Sequence, residues 1–159
     1  MRRLAAIVAS MLAAGCVSYG GYGIEPGADG EAKVRASMGE PAAKFRNADG
    51  TSDWAYPRGP LGYDTFMVHF TGAGTVRSIE KVLDPMHFAR VTPGMDAKAV
   101  QRVVGTPGRV EDFPRTGELV WDYRFMDSWG YSSYFSVVFD THRRVRQAFT
   151  WREQLDQKD

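Results

Sequence analysis

Residues 91–107 read VTPGMDAKAVQRVVGTP, and this stretch decides the fold. Asp96 can accept a hydrogen bond from the first free N–H groups of a helix. Ala99, Val100, Val103 and Val104 follow at helical spacing. Gly105 can take the left-handed conformation that ends a helix, and Pro107 prevents its continuation. The predicted helix is short, near ten residues, so it is marginal alone and needs tertiary packing. Strands follow it. Leu119–Phe125 alternates, with Trp121, Tyr123 and Phe125 on one face. Ser133–Phe139 alternates again, with Phe135, Val137 and Phe139 on one face and Tyr134, Ser136 and Val138 on the other. Residues 140–143 form a polar turn. Val145–Trp151 then places Val145, Gln147, Phe149 and Trp151 on a common face.

The same order occurs earlier in the chain. Val34, Met38, Gly39 and Pro41 match Val100, Val104, Gly105 and Pro107 at an offset of 66. Trp54 and Tyr56 match Trp121 and Tyr123 at 67. Phe66, Val68, Phe70 and Val76 match Phe135, Val137, Phe139 and Val145 at 69. The drift is small and falls in expected loops, so two copies of one unit are the simplest account. In the first copy the helix starts at Asp29 or Gly30, and the strands lie near 53–56, 65–71 and 75–82. A further short helix is expected over 84–90.

The expected fold is α+β. It consists of two tandem helix-helix-strand-strand-strand units, each an antiparallel meander sheet covered on one face by short helices. The first unit spans 28–83 and the second 84–151. The second sheet's other face, bearing Tyr134, Ser136, Val138, Arg144 and Arg146, is left to solvent or a partner.

The N-terminus reads as a secretion signal over residues 1–15. Arg2 and Arg3 precede the apolar run Leu4–Ala14, and Ala13, Ala14 and Gly15 are small. That run is too short for an ordinary membrane span, which needs about 20 residues. Cys16 is the only cysteine, so no internal disulfide can form. Val17–Gly30 is rich in Gly and Tyr, so 16–27 is expected to be the anchor cysteine and a flexible tether. Residues 152–159 read as a polar, frayed tail. Without residues 1–15 the chain holds 18 basic against 19 acidic residues, which gives no basic face for nucleic acid.

Two resemblances extend this reading. Ala14-Gly15-Cys16 resembles a lipobox, although Ala13 stands where a larger aliphatic is usual. The resemblance implies cleavage between Gly15 and Cys16 by signal peptidase II and acylation of Cys16, palmitate being a typical chain. Val17 after the cysteine implies sorting to the outer membrane. The alternative is an ordinary signal cleaved nearby, with Cys16 incidental. Residues 91–100, Val104-Gly105-Thr106-Pro107, Trp121-Asp122-Tyr123 and residues 137–140 resemble the SmpA/OmlA (BamE-like) family of outer-membrane lipoproteins. The match covers about 85–150. The first copy lacks the Gly-Met helix start and has Ala28-Asp29 there. Tandem copies are also similar in layout to the β-lactamase inhibitor proteins. The first resemblance implies a noncatalytic periplasmic accessory or scaffold in β-barrel assembly or envelope integrity. The second implies a periplasmic enzyme inhibitor.

No catalytic set is legible. His69, His87 and His142 show no metal-ligand spacing. There is no G-x-S-x-G, and the runs Gly20–Gly23 and Gly72–Gly74 are not phosphate loops. Glu111 and Asp112 read as loop carboxylates. No cofactor, metal or catalytic residue is expected. Trp54, Tyr56, Trp121 and Tyr123 are assigned to cores. Trp129, Tyr131 and Tyr134, with Ser136, Arg144 and Arg146, are the candidate partner-binding residues, because exposed aromatics favour partner contacts.

Overall fold

The computed structural model describes residues 20–59 and 61–153. The signal segment, Gly15, Cys16 and the end of the tail (154–159) lie outside the described residues. The elements run α1 (Glu31–Met38), β1 (Ala43–Arg46), β2 (Ser52–Pro57), β3 (Thr65–Phe70), β4 (Val76–Lys81), α2 (Pro85–Phe88), α3 (Ala97–Val104), β5 (Arg109–Phe113), β6 (Glu118–Met126), β7 (Ser132–Phe139) and β8 (Val145–Arg152). They build two four-stranded antiparallel sheets, ordered β1-β2-β3-β4 and β5-β6-β7-β8. The class is α+β. Two corrections follow. Each sheet has four strands rather than three, and one helix rather than two precedes the first sheet among the described residues.

The added strands, β1 and β5, are edge strands with little apolar signal. Only Phe45 of β1 is buried, and none of β5 is. Glu111 and Asp112 therefore lie on strand β5, not in a loop.

The helices start and stop as their end residues dictate. Asp96 Oδ1 accepts from Ala99 N at 2.8 Å, and Asp84 caps α2 by accepting from His87 N at 3.0 Å. At α1 the capping residue is Gly30, which has no side chain to offer. Asp29 instead accepts from Glu25 N at 2.7 Å. Gly39 and Gly105 end α1 and α3 with φ near +80° and ψ of −163°. The carbonyl of each then accepts from a sheet tyrosine at 3.1 Å: Tyr56 Oη to Gly39 O, Tyr123 Oη to Gly105 O. Burial raises the Tyr56 phenol to about 12 and pushes that of Tyr123 well above its ordinary value, so both stay protonated donors.

The helix starts also share a hydrogen-bond scheme. Gly27 N donates to Val76 O, and Gly94 N donates to Val145 O, both at 2.8 Å. Val76 N returns to Asp29 O, and Val145 N to Met95 O, again at 2.8 Å. Gly27 thus fills the place of Gly94, with Ala28 inserted after it. The helix-start glycine absent at Ala28-Asp29 is present one residue earlier.

The packing is layered. One face of the first sheet (Trp54, Tyr56, Val68, Phe70, Val76) is covered by Val34 and Met38 of α1 and by Ile24. Its other face carries Phe45, Ala55 and Met67. Here the end of α3 docks. Arg102 lies 5.2 Å over the Phe45 ring and donates to Asn47 Oδ1 at 2.5 Å and Arg46 O at 3.0 Å. On its opposite side α3 gives Val100, Val103 and Val104 to the second sheet's core of Trp121, Tyr123, Phe125, Phe135, Val137 and Phe139. Helix α3 is therefore the layer between the two sheets. Ile24 is buried, and residues 21–29 form hydrogen-bonded turns against the first sheet. Residues 20–27 are therefore not a tether. Nor is the described start of the tail frayed: Arg152 belongs to β8, and Glu153 N donates to Ser132 O at 3.0 Å.

Alanine at either helix-ending glycine forces a side chain into a conformation that costs about 1–3 kcal/mol. A Cβ at Gly39 meets nothing within 4 Å, whereas one at Gly105 lies 2.6 Å from Cγ2 of the buried Thr65. Gly105→Ala is thus expected to lower stability by at least about 1 kcal/mol more than Gly39→Ala in urea unfolding. Equal losses would mean that α3 does not seat on the first sheet in this way.

Candidate functional site

The site is built on the second sheet. Hairpin β6–β7 turns through Asp127–Tyr131, closed by Asp127 N to Tyr131 O at 2.9 Å and Gly130 N to Asp127 O at 3.0 Å. The Asp127 carboxylate organises the turn. Oδ1 accepts from Trp129 N and Tyr131 N at 2.9 Å each, and Oδ2 accepts from Arg152 Nε at 2.9 Å. Burial pushes this carboxyl up, but the N–H donors and Arg152 outweigh it and hold it below its ordinary range. Trp129 and Tyr131 are 77% and 57% exposed on this braced loop. Arg152 sits 4.4 Å over the Tyr131 ring.

Trp129 stands at the mouth of a groove of about 820 Å³, within the size range of ligand sites. Its walls are Leu83 and Phe88, from the α2 region, and Phe125, Phe135 and Ala148 of the sheet. The floor is rigid: Phe88 stacks on Phe135 at 4.1 Å and meets Phe125 edge-on at 4.9 Å. Asp84 and the Asp127–Arg152 pair edge it, and both carboxylates already hold internal partners.

The outer face of the second sheet carries a polar network. Asp122 is only 2% exposed although no helix covers it. Its Oδ2 accepts from Arg109 Nη2 at 2.6 Å and Nε at 2.8 Å, and Oδ1 accepts from Ser136 Oγ at 2.6 Å. Ser136 in turn accepts from Trp151 Nε1 at 2.7 Å, and Trp151 stacks on Tyr134 at 4.8 Å. Tyr134 Oη donates to Glu153, which also holds Ser132 and Arg124. Arg124 reaches Leu61 O and lies over Tyr63, linking this network to the first unit's loop.

The candidate residues thus separate. Tyr134 and Ser136 belong to the outer-face network, and Trp129 and Tyr131 to the hairpin. Arg144 and Arg146 do not join them. Arg144 precedes β8 and pairs with Asp96 at the start of α3, at 3.5 Å. Arg146 sits where the β7–β8 register shifts and pairs with Glu118. That shift also separates Val145 from Gln147, Phe149 and Trp151. Val145 enters the core opposite Phe139, and the other three pair with Val138, Ser136 and Tyr134 on the outer face.

The sequence reading missed Asp122, Arg109, Trp151, Arg124 and Glu153. Strand parity could have found Asp122, since it lies between the core residues Trp121 and Tyr123. His69 faces away from the α1-covered core, as parity requires, with Nδ1 at 2.6 Å from Asp53. His69 and His87 both come within 3.7 Å of Glu80, but no group of three ligands is placed to hold a metal among the described residues. Among those residues no helix is long and apolar enough to cross a membrane.

No family model and no curated protein matches the chain. Among solved structures the chain is similar to a DUF4309 family protein, YjgB, from Bacillus subtilis. The two are 16% identical, each covered over 84% of its length, with a TM-score of 0.32, too low to establish a shared fold.

Arg109→Ala leaves the Asp122 carboxylate buried with Ser136 as its only remaining partner. A loss of about 1–3 kcal/mol in urea unfolding is expected. Glu111→Ala removes only the exposed partner of the same arginine and is expected to cost about 0–1 kcal/mol. Glu153 gives a pH test. Hydrogen bonds from Ser132 and then Arg124 hold its carboxyl below the ordinary 4.5. Its folded-state pKa is depressed, so its stabilisation is full above the unfolded value and vanishes as pH falls through the folded one. The native chain should therefore lose its stability advantage over Glu153→Gln as pH falls below about 4.5. An advantage that does not change with pH would remove Glu153 from the network.

Proposed function

We propose that the chain is a noncatalytic, lipid-anchored protein on the periplasmic face of the outer membrane that binds another envelope protein. On this reading it is an accessory or scaffold in β-barrel assembly or envelope integrity. Residues 1–15 are the signal, and Cys16 carries the lipid. Two BamE-like units, 28–83 and 84–151, follow as tandem copies. The recurring helix-end and helix-start hydrogen bonds at Gly39 and Gly105, and at Gly27 and Gly94, support that duplication. So does the resemblance of residues 91–107 and of Trp121-Asp122-Tyr123 to the SmpA/OmlA family.

The observation that carries partner binding is Trp129. A tryptophan held 77% exposed on a loop braced by Asp127 loses little freedom on binding. It stands beside an open apolar groove, where a partner side chain can be desolvated. The outer-face network argues against a reactive centre there, because its carboxylates are saturated by internal donors.

The test is crosslinking with mass spectrometry in the native envelope, followed by pulldown with purified candidates. Trp129→Ala is expected to weaken capture of the partner by about tenfold or more, in the range of a hot-spot aromatic. Its unfolding midpoint should not change. Recovery of no envelope protein, with normal barrel assembly in a deletion strain, would sink the assembly role. Inhibition of a β-lactamase or muramidase by the purified chain would replace it with the inhibitor reading. Metabolic labelling with a palmitate analogue tests the anchor, and labelling that persists in Cys16→Ala refutes it.

A further inference from the structure

The two sheets expose four edge strands: β1, β4, β5 and β8. An open edge is a template for pairing with another strand, and proteins usually guard it with charge or shortness. Three of these edges are guarded. Strand β1 has four residues, two of them Lys44 and Arg46. Strand β4 carries Arg77, Glu80 and Lys81, and its start is covered by the 27–30 segment. Strand β5 carries Arg109, Glu111 and Asp112.

Strand β8 differs. It runs for eight residues, and its charges, Arg146 and Arg152, stand near its ends. Between them lie Gln147, Ala148, Phe149, Thr150 and Trp151, with Phe149 and Trp151 still 45% and 39% exposed.

The direction of the free backbone groups follows from one bond. Glu153 N donates to Ser132 O, so residue 153 points its backbone groups toward β7. In an antiparallel ladder this alternates. Trp151, Phe149 and Gln147 therefore also face β7, while Arg152, Thr150 and Ala148 point their N–H and C=O groups outward.

We infer that β8 pairs with β8 of a second copy of this chain, antiparallel, about a two-fold axis through Thr150. The axis pairs Thr150 with itself and Ala148 with Arg152 of the other copy, for about six new backbone hydrogen bonds. On the outer face it sets Phe149 opposite Trp151 of the other copy, twice. Aromatic and threonine cross-strand pairs of this kind are the favourable ones in antiparallel sheets. Moving the axis to Phe149 places Arg146 opposite Arg152 of the other copy, a like-charge pair that disfavours that register. The product is one eight-stranded sheet whose outer face continues across both copies. The chemistry that selects the partner is thus self-complementarity: an uncharged stretch flanked by charges, with two aromatics symmetric about a threonine.

Sedimentation equilibrium of the full chain in mild detergent, from micromolar to millimolar concentration, reads the mass. Hydrogen exchange reads the pairing. A mass doubling is expected, together with concentration-dependent protection of the Ala148, Thr150 and Arg152 amides. Thr150→Pro removes the axial N–H, which makes no bond to β7, and should weaken self-association by at least about tenfold. Thr150→Lys, which leaves the backbone intact and opposes two cations at the axis, should do the same. It keeps the test valid if the proline variant unfolds. A chain monomeric at every concentration overturns the inference. A dimer that both variants leave unchanged, or one in which those three amides stay unprotected, overturns it equally.

Discussion

Much of this structure depends on one buried hydrogen bond, from the Tyr123 hydroxyl to the Gly105 carbonyl. The last carbonyls of a helix have no partner within it, and a buried one must find a donor elsewhere. Here the donor comes from the middle of β6, so the end of α3 is pinned to the sheet it covers. The pinned end is also the part of α3 that touches the first sheet, through Gly105 against Ala55 and Thr65. A single helix end thus touches both sheets. Tyr56 and Gly39 make the corresponding bond for α1, but α1 has a sheet on one side only. This explains why two glycines with nearly the same backbone angles differ in the room they leave. Beyond Gly39 there is open space, and beyond Gly105 there is Thr65.

What the sequence made legible follows from how strongly each pattern is tied to burial. Trp-x-Tyr and Phe-x-Val-x-Phe mark strands with one apolar face, and these lie at β2, β6, β3 and β7 with small boundary shifts. Asp96, Gly105 and Pro107 are local signals and needed no tertiary context. Strands β1 and β5 were invisible because an edge strand lying mostly in solvent has no reason to alternate. The register shift beside Arg146 was invisible because a bulge is a backbone event. It turned Gln147, Phe149 and Trp151 onto the outer face, where Arg146 pairs with Glu118 and does not join the network around Asp122 and Glu153. The tether was misjudged for a different reason. Gly- and Tyr-rich composition reads as flexible, but buried Ile24 and the backbone bonds of Gly27 and Asp29 to Val76 seat residues 21–29 on the first sheet.

The candidate site was half legible. Exposed aromatics drew attention to Trp129 and Tyr131, and parity put Tyr134 and Ser136 on the face opposite the core. The sequence could not supply the partners. Arg109 reaches Asp122 only because β5 pairs with β6, and Glu153 reaches Arg124 only because β8 extends one residue past its predicted end. The outer face consequently differs from a simple uncovered sheet. An uncovered sheet is wetted, yet Asp122 and Ser136 are nearly dry. Their neighbours Arg109, Tyr134 and Trp151 fold over them and act as the cover that a helix supplies on the other side.

That cover constrains the edge beside it. Trp151 is fixed by its indole bond to Ser136 and its stack on Tyr134, and Arg152 by Asp127. Both residues lie at the C-terminal end of β8, so the side chains of that end of the edge strand are already placed before any partner arrives. Ordering flexible groups is a main cost of association, and here the fold meets much of it in advance. The same Asp127 braces the hairpin that presents Trp129. One carboxylate therefore stiffens two surfaces at once: the aromatic tip beside the groove and the neighbouring end of the open strand. Loosening it would soften both, whereas removing Trp129 alone leaves the strand as it is. The two surfaces also share Ala148 and Arg152, which border the groove and carry outward-facing backbone groups of the strand, so a partner in the groove lies directly beside the pairing edge.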